Sequence, residues 1–183
     1  MSEKKDRVCL FVDGANFFYL QKEYLQWWID PSRLLEYVRS HGELVDAFYY
    51  IAVNPNDDKS NRYVSALASM GYTTLPKEIK YFREDNGGEK IRPPNFQGDL
   101  VLDMMTNMSS YDLAILVSGD GDYQRVLKTI KDRGKKFLIL GNESFISKDL
   151  RRFAGMHFID FNFIRSKVER LKGQNYSKDE GNR

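Results

Sequence analysis

Three short stretches of this chain, Val8–Val12, Ala114–Val117 and Phe137–Leu140, contain no polar residue at all. A strand with one wet face alternates polar and apolar residues, because successive side chains point to opposite sides. An unbroken apolar run is instead the pattern of a strand covered on both faces, as in a parallel sheet between two layers of helices. A fourth run, Ala47–Val53, is equally unbroken and richer in aromatics. Between the runs the spacing becomes helical. Tyr123, Val126, Leu127 and Ile130 fall at i, i+3, i+4 and i+7, one apolar stripe. Gly134 stands where such a helix closes, with Lys131 and Arg133 in its last turn. Asn61–Met70 before Gly71, Phe17–Trp27 and Ser32–Val38 are further helical segments, the last two parted by the helix-starting pair Asp30-Pro31. Strand and helix alternate, so the expected fold is a layered α/β domain with a mostly parallel sheet.

Thr73–Pro94 departs from this alternation. Gly87-Gly88 separates Ile79–Phe82 from Lys90–Arg92, and Pro93-Pro94 follows, so the segment reads as a hairpin or a long exposed loop. From Gly173 the chain is polar and aperiodic. Residues 1–172 are therefore expected to form a single domain and 173–183 a disordered tail. No repeat of 20–50 residues is present, which removes solenoids and propellers.

Composition narrows the function classes. The 28 basic and 26 acidic residues leave a net charge of only +2, so polyanion binding would have to come from local patches rather than overall charge. The single cysteine, Cys9, excludes a disulfide framework and a cysteine zinc cluster. The amino terminus is charged and leads into a short apolar run, not a signal peptide, and no run approaches the ~18 apolar residues of a membrane span. A cytoplasmic protein without membrane association is expected.

In an open α/β sheet, ligands bind beyond the carboxyl ends of the strands. The residues there are Asp13-Gly14-Ala15-Asn16 after the first run, Ser118-Gly119-Asp120-Gly121-Asp122 after the Ala114 run, and Gly141-Asn142-Glu143 after the last. Two strands thus deliver aspartates to one edge. Gathered carboxylates raise one another's pKa unless a cation neutralises them, and their hard oxygens select Mg²⁺ or Mn²⁺ over zinc. The bland explanation is that Asp120 and Asp122 cap the helix that follows. Asp13 invites that explanation less, since Gly14 and Asn16 also suit a cap. In Gln97–Asp103, Asp99 and Asp103 would share one helical face and Leu100 and Met104 another, with Asp103 best read as part of a solvated acidic face.

Other chemistries lack their patterns. There is no G-x-G-x-x-G after the first run and no G-x-x-x-x-G-K-[ST]. Asp120-Gly-Asp122 does not continue into a calcium loop. His41 and His157 have no ligand spacing, and Ser118 has no histidine near it in sequence. Basic residues gather in the irregular region, where Lys77, Lys80, Arg83, Lys90 and Arg92 are interleaved with Tyr81, Phe82 and Phe96. Cations pair with phosphates and aromatics stack on bases, a mix suited to single-stranded nucleic acid, although a solvated loop has the same composition. Lys148, Arg151 and Arg152 form a second basic group.

The blocks Phe11-Val12-Asp13-Gly14-Ala15-Asn16 and Ile115-Leu116-Val117-Ser118-Gly119-Asp120-Gly121-Asp122-Tyr123 closely resemble the two signatures of the NYN domain family, in its LabA-like branch, which is similar to PIN-type nucleases. The resemblance runs from about Arg7 to Phe163. It implies a three-layer, Rossmann-like (PIN-like) fold. It also implies a ribonuclease, with Mg²⁺ or Mn²⁺ held by Asp13, Asp120 and Asp122 and hydrolysis leaving a 5′-phosphate. The family's middle aspartate follows a Lys-Gly pair; here Gln97-Gly98-Asp99 matches it without the lysine, which nominates Asp99 as the fourth carboxylate. Asn16 and Ser118 match supporting positions. The altered Gln97 segment keeps an alternative open, a non-catalytic RNA- or nucleotide-binding module on the same scaffold. RNA is the expected partner under both readings, and homo-oligomerisation and protein partners stay open.

Overall fold

The computed structural model describes residues 5–54, 56–83 and 89–171. Its strands are β1 (Arg7–Asp13), β2 (Glu43–Val53), β3 (Thr73–Glu78), β4 (Lys80–Arg83), β5 (Glu89–Arg92), β6 (Leu113–Val117), β7 (Lys136–Gly141) and β8 (Phe158–Asp160). Six of them form one all-parallel sheet in the order β3-β2-β1-β6-β7-β8. The helices are α1 (Gly14–Tyr19), α2 (Pro31–Arg39), α3 (Asp58–Met70), α4 (Gln97–Thr106), α5 (Gln124–Asp132), α6 (Lys148–Ala154) and α7 (Arg165–Val168). All four apolar runs are strands of the sheet, as their patterning requires.

Both faces of the sheet are buried, and that explains the missing alternation. On one side Leu10, Val12, Ile115 and Val117 pack with Phe17 of α1, Leu34, Leu35 and Val38 of α2 and Leu67 of α3. On the other, Cys9, Phe11, Leu116 and Ile139 pack with Leu100 and Met104 of α4, Val126, Leu127 and Ile130 of α5 and Leu150 of α6. Parallel crossovers are right-handed, so a chain that winds outward in one direction lays its helices on one face, and in the other direction on the opposite face. The path β1-β2-β3 uses the first face and β6-β7-β8 the second. The winding reverses between β1 and β6, which pair directly from Val8 opposite Leu113 to Val12 opposite Val117. The carboxyl ends of these two strands are the topological switch point, where open α/β sheets bind ligands.

The local details differ from the sequence reading in several places. The Phe17–Trp27 helix is α1 followed by a π-helical turn over Leu20–Leu25, and it stops at Gln26, whose φ of 58 is left-handed. The Asn61–Met70 helix starts earlier, at Asp58, because Asp57 caps it. The stripe of Tyr123 to Ile130 begins as a 3-10 turn, Gly121–Tyr123, before α5, and Gly134 closes it at φ 76. Thr73–Glu78 is no part of a loop; it is an edge strand paired to β2 from Phe48 opposite Thr73 onward. The remainder does form a hairpin, with β4 and β5 antiparallel. Residues 84–88, including Gly87 and Gly88, and the expected tail over 173–183 lie outside the described residues.

Close approach requires the glycine that follows Asp13. A Cβ on Gly14, the first residue of α1, would sit 2.2 Å from the Tyr50 carbonyl oxygen and 2.9 Å from Cε1 of Tyr49. Gly98, in the first turn of α4, faces open space within 4 Å. Thermal unfolding should therefore separate the two. Gly14→Ala is expected to cost about 1–3 kcal/mol through overpacking. Gly98→Ala is expected to gain ~0.4–1 kcal/mol by restricting the unfolded chain.

Candidate acidic active site

Asp13 ends β1 and is only 8% exposed. A carboxylate carried to the rim of an apolar core must find donors, because an unpaired buried charge is costly. Asp13 finds them on three segments. Its Oδ1 accepts from the backbone N–H of Asn16 (3.2 Å), and its Oδ2 accepts from the hydroxyls of Tyr123 (2.9 Å) and Ser118 (3.5 Å). The first of these bonds makes Asp13 the N-cap of α1, so the capping role extends to Asp13 although Gly14 and Asn16 also suit a cap. Asn16 reaches across to β6, its Oδ1 accepting from the Gly119 N–H at 2.9 Å. Ser118 Oγ accepts from the Asp120 N–H (3.2 Å), and Asp120 Oδ1 accepts from the Asp122 N–H (3.0 Å). The capping explanation thus holds for one oxygen of Asp120, the N-cap of the 3-10 turn, whereas Asp122 is exposed.

The electrostatics follow from this placement. Burial pushes the Asp13 carboxyl above the usual carboxylate range, and the charge of Asp120 adds to the rise. The bonds from Asn16, Tyr123 and Ser118 pull it back. The buried Tyr123 hydroxyl is raised in turn, by burial first and then by Asp13, with Asp120 and Asp122 also felt. Asp13, Asp120 and Asp122 therefore share one electrostatic neighbourhood around Tyr123. Sequence reasoning had assigned Tyr123 only to an apolar stripe; a buried tyrosine's need for a hydroxyl partner was the available signal.

The structure gives the other candidates different surroundings. Asp99, in the first turn of α4, is ion-paired with Lys77 Nζ, which also donates to the Asn95 carbonyl and lies 5.4 Å from the Phe96 ring centroid. Asp103 is not on a solvated face. It is half-buried and accepts a 2.8 Å hydrogen bond from Tyr50, whose backbone sits opposite Asp13 in the β1–β2 register. Phe96 is a core residue, 3% exposed, and offers no stacking face, whereas Tyr81 and Phe82 are each 46% exposed. Lys77, Lys80 and Arg92, with one acid, Glu78, and Pro93, Pro94 and Asn95, line an open groove of about 510 Å³. The side chains of Arg83 and Lys90 lie outside the described residues. In the second basic group, Arg151 is engaged by Glu143 (2.9 Å) and stacked on Phe158 (4.7 Å). Arg152 lies 3.7 Å from Asp149, and Lys148 is exposed.

The donor set at this edge is all oxygen, which fits a hard divalent cation. Among the described residues, however, no three His, Cys, Asp or Glu groups are drawn together tightly enough to grip a metal ion. Among the same residues, no helix is long and apolar enough to cross a membrane.

The chain is a Rossmann-like α/β protein with aspartates at its β1–β6 switch point. The chain belongs to the NYN domain family, whose model matches residues 7–165. It is 34% identical over 176 residues to the Low amplitude and bright protein LabA of Synechococcus elongatus, spanning 94% of this chain and 92% of LabA. It is 24% identical to the uncharacterized protein MJ0482 of Methanocaldococcus jannaschii, over 95% of this chain and 65% of that one. The fold is shared with VPA0982 of Vibrio parahaemolyticus, whose crystal structure is titled as that of a protein of unknown function. The TM-score is 0.74 at 25% identity, covering 93% of this chain and 99% of that one.

The raised Asp13 pKa has a definite consequence for stability. A carboxyl that holds its proton more tightly when folded makes stability fall as pH rises from its unfolded pKa, ~3.9, through the folded value. Asp13→Asn removes that slope. Relative to wild type, the variant's Tm should stand lowest at and below the unfolded pKa, ~3.9, and improve as pH rises through the folded value. A difference that stays flat with pH would show that Asp13 titrates normally.

Proposed function

We propose that this protein hydrolyses RNA phosphodiester bonds in a reaction that needs Mg²⁺ or Mn²⁺. The observation that carries this reading is the buried, three-donor Asp13 carboxylate beside Asp120 at the β1–β6 switch point. A capping residue alone needs neither that burial nor the Tyr123 and Ser118 hydroxyls. Asp13, Asp120 and Asp122 would hold the cation, with Asp99 as a further carboxylate from α4; since no three of these groups are close enough to grip it unaided, the cation would have to draw them together as it binds. When bound, the cation supplies charge neutralisation at the phosphate and a more acidic water. Tyr123 keeps its proton and fixes Asp13 Oδ2 from one side, while Ser118 fixes it from β6. Asn16 holds the Gly119 backbone in place. Lys80 and Arg92 in the neighbouring groove supply charge for the RNA backbone, with Arg83 and Lys90 of the same hairpin and exposed Lys148 and Arg152 as further candidates. Such a substrate suits a cytoplasmic protein.

The second reading, a binding module without turnover, is favoured by one feature. Asp99 is already neutralised by Lys77, so its carboxylate is engaged without any cation. The two readings part in a cleavage assay on single- and double-stranded RNA with Mg²⁺ or Mn²⁺. Asp120→Asn and Asp122→Asn should each lower turnover at least about a hundredfold, the scale of several kcal/mol of transition-state charge stabilisation. Binding should stay intact or tighten, since a negative charge facing a polyanion is gone. Asp122→Asn should leave stability within about 0.5 kcal/mol of wild type. Lys80→Ala and Arg92→Ala should weaken binding and lower the salt slope by about one unit each. Wild type that binds RNA but never cleaves it establishes the binding module.

A further inference from the structure

Beside the acidic edge lies a group of aromatic rings at the margin of the first core, against which Phe145 packs. Tyr19 is 51% exposed and Tyr24 41%, and Phe145, in the loop after β7, is half-buried. Each ring touches the other two: Tyr19–Tyr24 at 6.0 Å, Tyr19–Phe145 at 5.8 Å and Tyr24–Phe145 at 4.9 Å between centroids. The backbone is shaped to make this cluster. In an α-helix, residues five apart point well away from each other; the wider π turn over Leu20–Leu25 brings Tyr19 and Tyr24 onto one face. That turn ends at Gln26, the one non-glycine residue with positive φ among the described residues. Both features cost free energy, and such features gather at functional sites.

The cluster adjoins the acidic motif directly. A Cβ added to Gly119 would lie 2.9 Å from Cδ1 of Phe145, so the ring rests on the backbone between Ser118 and Asp120. The Ser147 N–H donates to the Gly119 carbonyl at 2.9 Å and ties the two loops together. Tyr19 sits on the helix that Asp13 caps.

We infer that Tyr19, Tyr24 and Phe145 are a stacking platform for the unpaired bases of a single-stranded RNA whose backbone reaches the acidic edge. This rests on the RNA reading above and adds the form of RNA that the site takes. The carboxylates repel a polyanion, so affinity next to them has to come from the uncharged part of the ligand, and the adjoining surface is neutral and aromatic. Bases stack on such rings whatever their sequence, whereas in a duplex their faces are already covered. Exposed Lys22 and Glu23 share the π turn with Tyr24, and exposed Ser144 and Lys148 stand near Phe145 in the chain. An aromatic surface set beside carboxylates fits the bases of a nucleic-acid strand.

Fluorescence anisotropy of a labelled ten- to twelve-nucleotide RNA, in EDTA so that turnover plays no part, tests this. Tyr19→Ala and Tyr24→Ala should each weaken binding of the single strand by at least about fivefold with Tm unchanged, and Tyr24→Trp should keep it. Wild type should bind an abasic strand of the same length no more tightly than Tyr24→Ala binds the full RNA, and a duplex should be insensitive to all of these changes. Single-strand binding indifferent to Tyr19 and Tyr24 overturns this inference and leaves the RNA reading standing. A wild type that binds no RNA in EDTA overturns this inference, and one that binds none with Mg²⁺ or Mn²⁺ present either overturns both. If Tyr24→Ala turns a sedimenting dimer into monomers and leaves RNA affinity alone, the platform is a contact between copies of this chain and the inference falls.

Discussion

A carboxylate at the rim of an apolar core is the constraint around which this end of the molecule is arranged. Asp13 is nearly buried, yet its two oxygens accept from a backbone amide of α1, the hydroxyl of Ser118 just past β6 and a phenol leading into α5. Leaving a buried charge without donors would cost more than the modest net worth of any one hydrogen bond. The three elements are therefore held in one relative position. Asn16, Ser118 and Asp120 extend the same network along the adjoining strand. A set of groups fixed in this way pays its ordering cost during folding, so little reorganisation remains when a ligand arrives.

Charge is handled unequally across the edge. Asp99 and its Lys77 partner neutralise each other, whereas burial first, and then the like charge of Asp120, raise the proton affinity of Asp13. One part of the site is thus electrostatically satisfied and the other is left wanting a cation or a proton. Tyrosines separate the two. Tyr123 donates to Asp13 and Tyr50 to Asp103, each carrying an apolar ring into the second core while its hydroxyl serves an acid at the rim. Beyond that rim, aromatic rings again meet water at Tyr19 and Tyr24.

Much of this could be read from the chain. The unbroken runs identified strands covered on both faces, the Ser118–Asp122 and Asp13–Asn16 blocks marked the edge that matters, and the family followed from them. Contacts between distant residues could not be read. Nothing in the spacing shows that Thr73–Glu78 joins the sheet beside β2: its burial alternates weakly because an edge strand has one neighbour, and Pro76 makes it look like loop. The π turn was equally hidden, because a helical stripe does not reveal whether a turn holds an extra residue.

The sequence by itself determined the fold class, the strands and the edge at which the aspartates emerge. Those depend on patterns within a few residues, namely apolar runs, caps and glycines, and local sterics and burial translate such patterns directly into structure. Only the tertiary structure decided what each side chain does there. Phe96 went into the core instead of facing a ligand, Lys77 went to Asp99, Arg151 to Glu143, and Tyr123 to Asp13 across 110 positions of chain. A charge or a hydroxyl takes whichever partner the packed layers bring within hydrogen-bond reach, and that geometry exists only once β1 and β6 lie side by side.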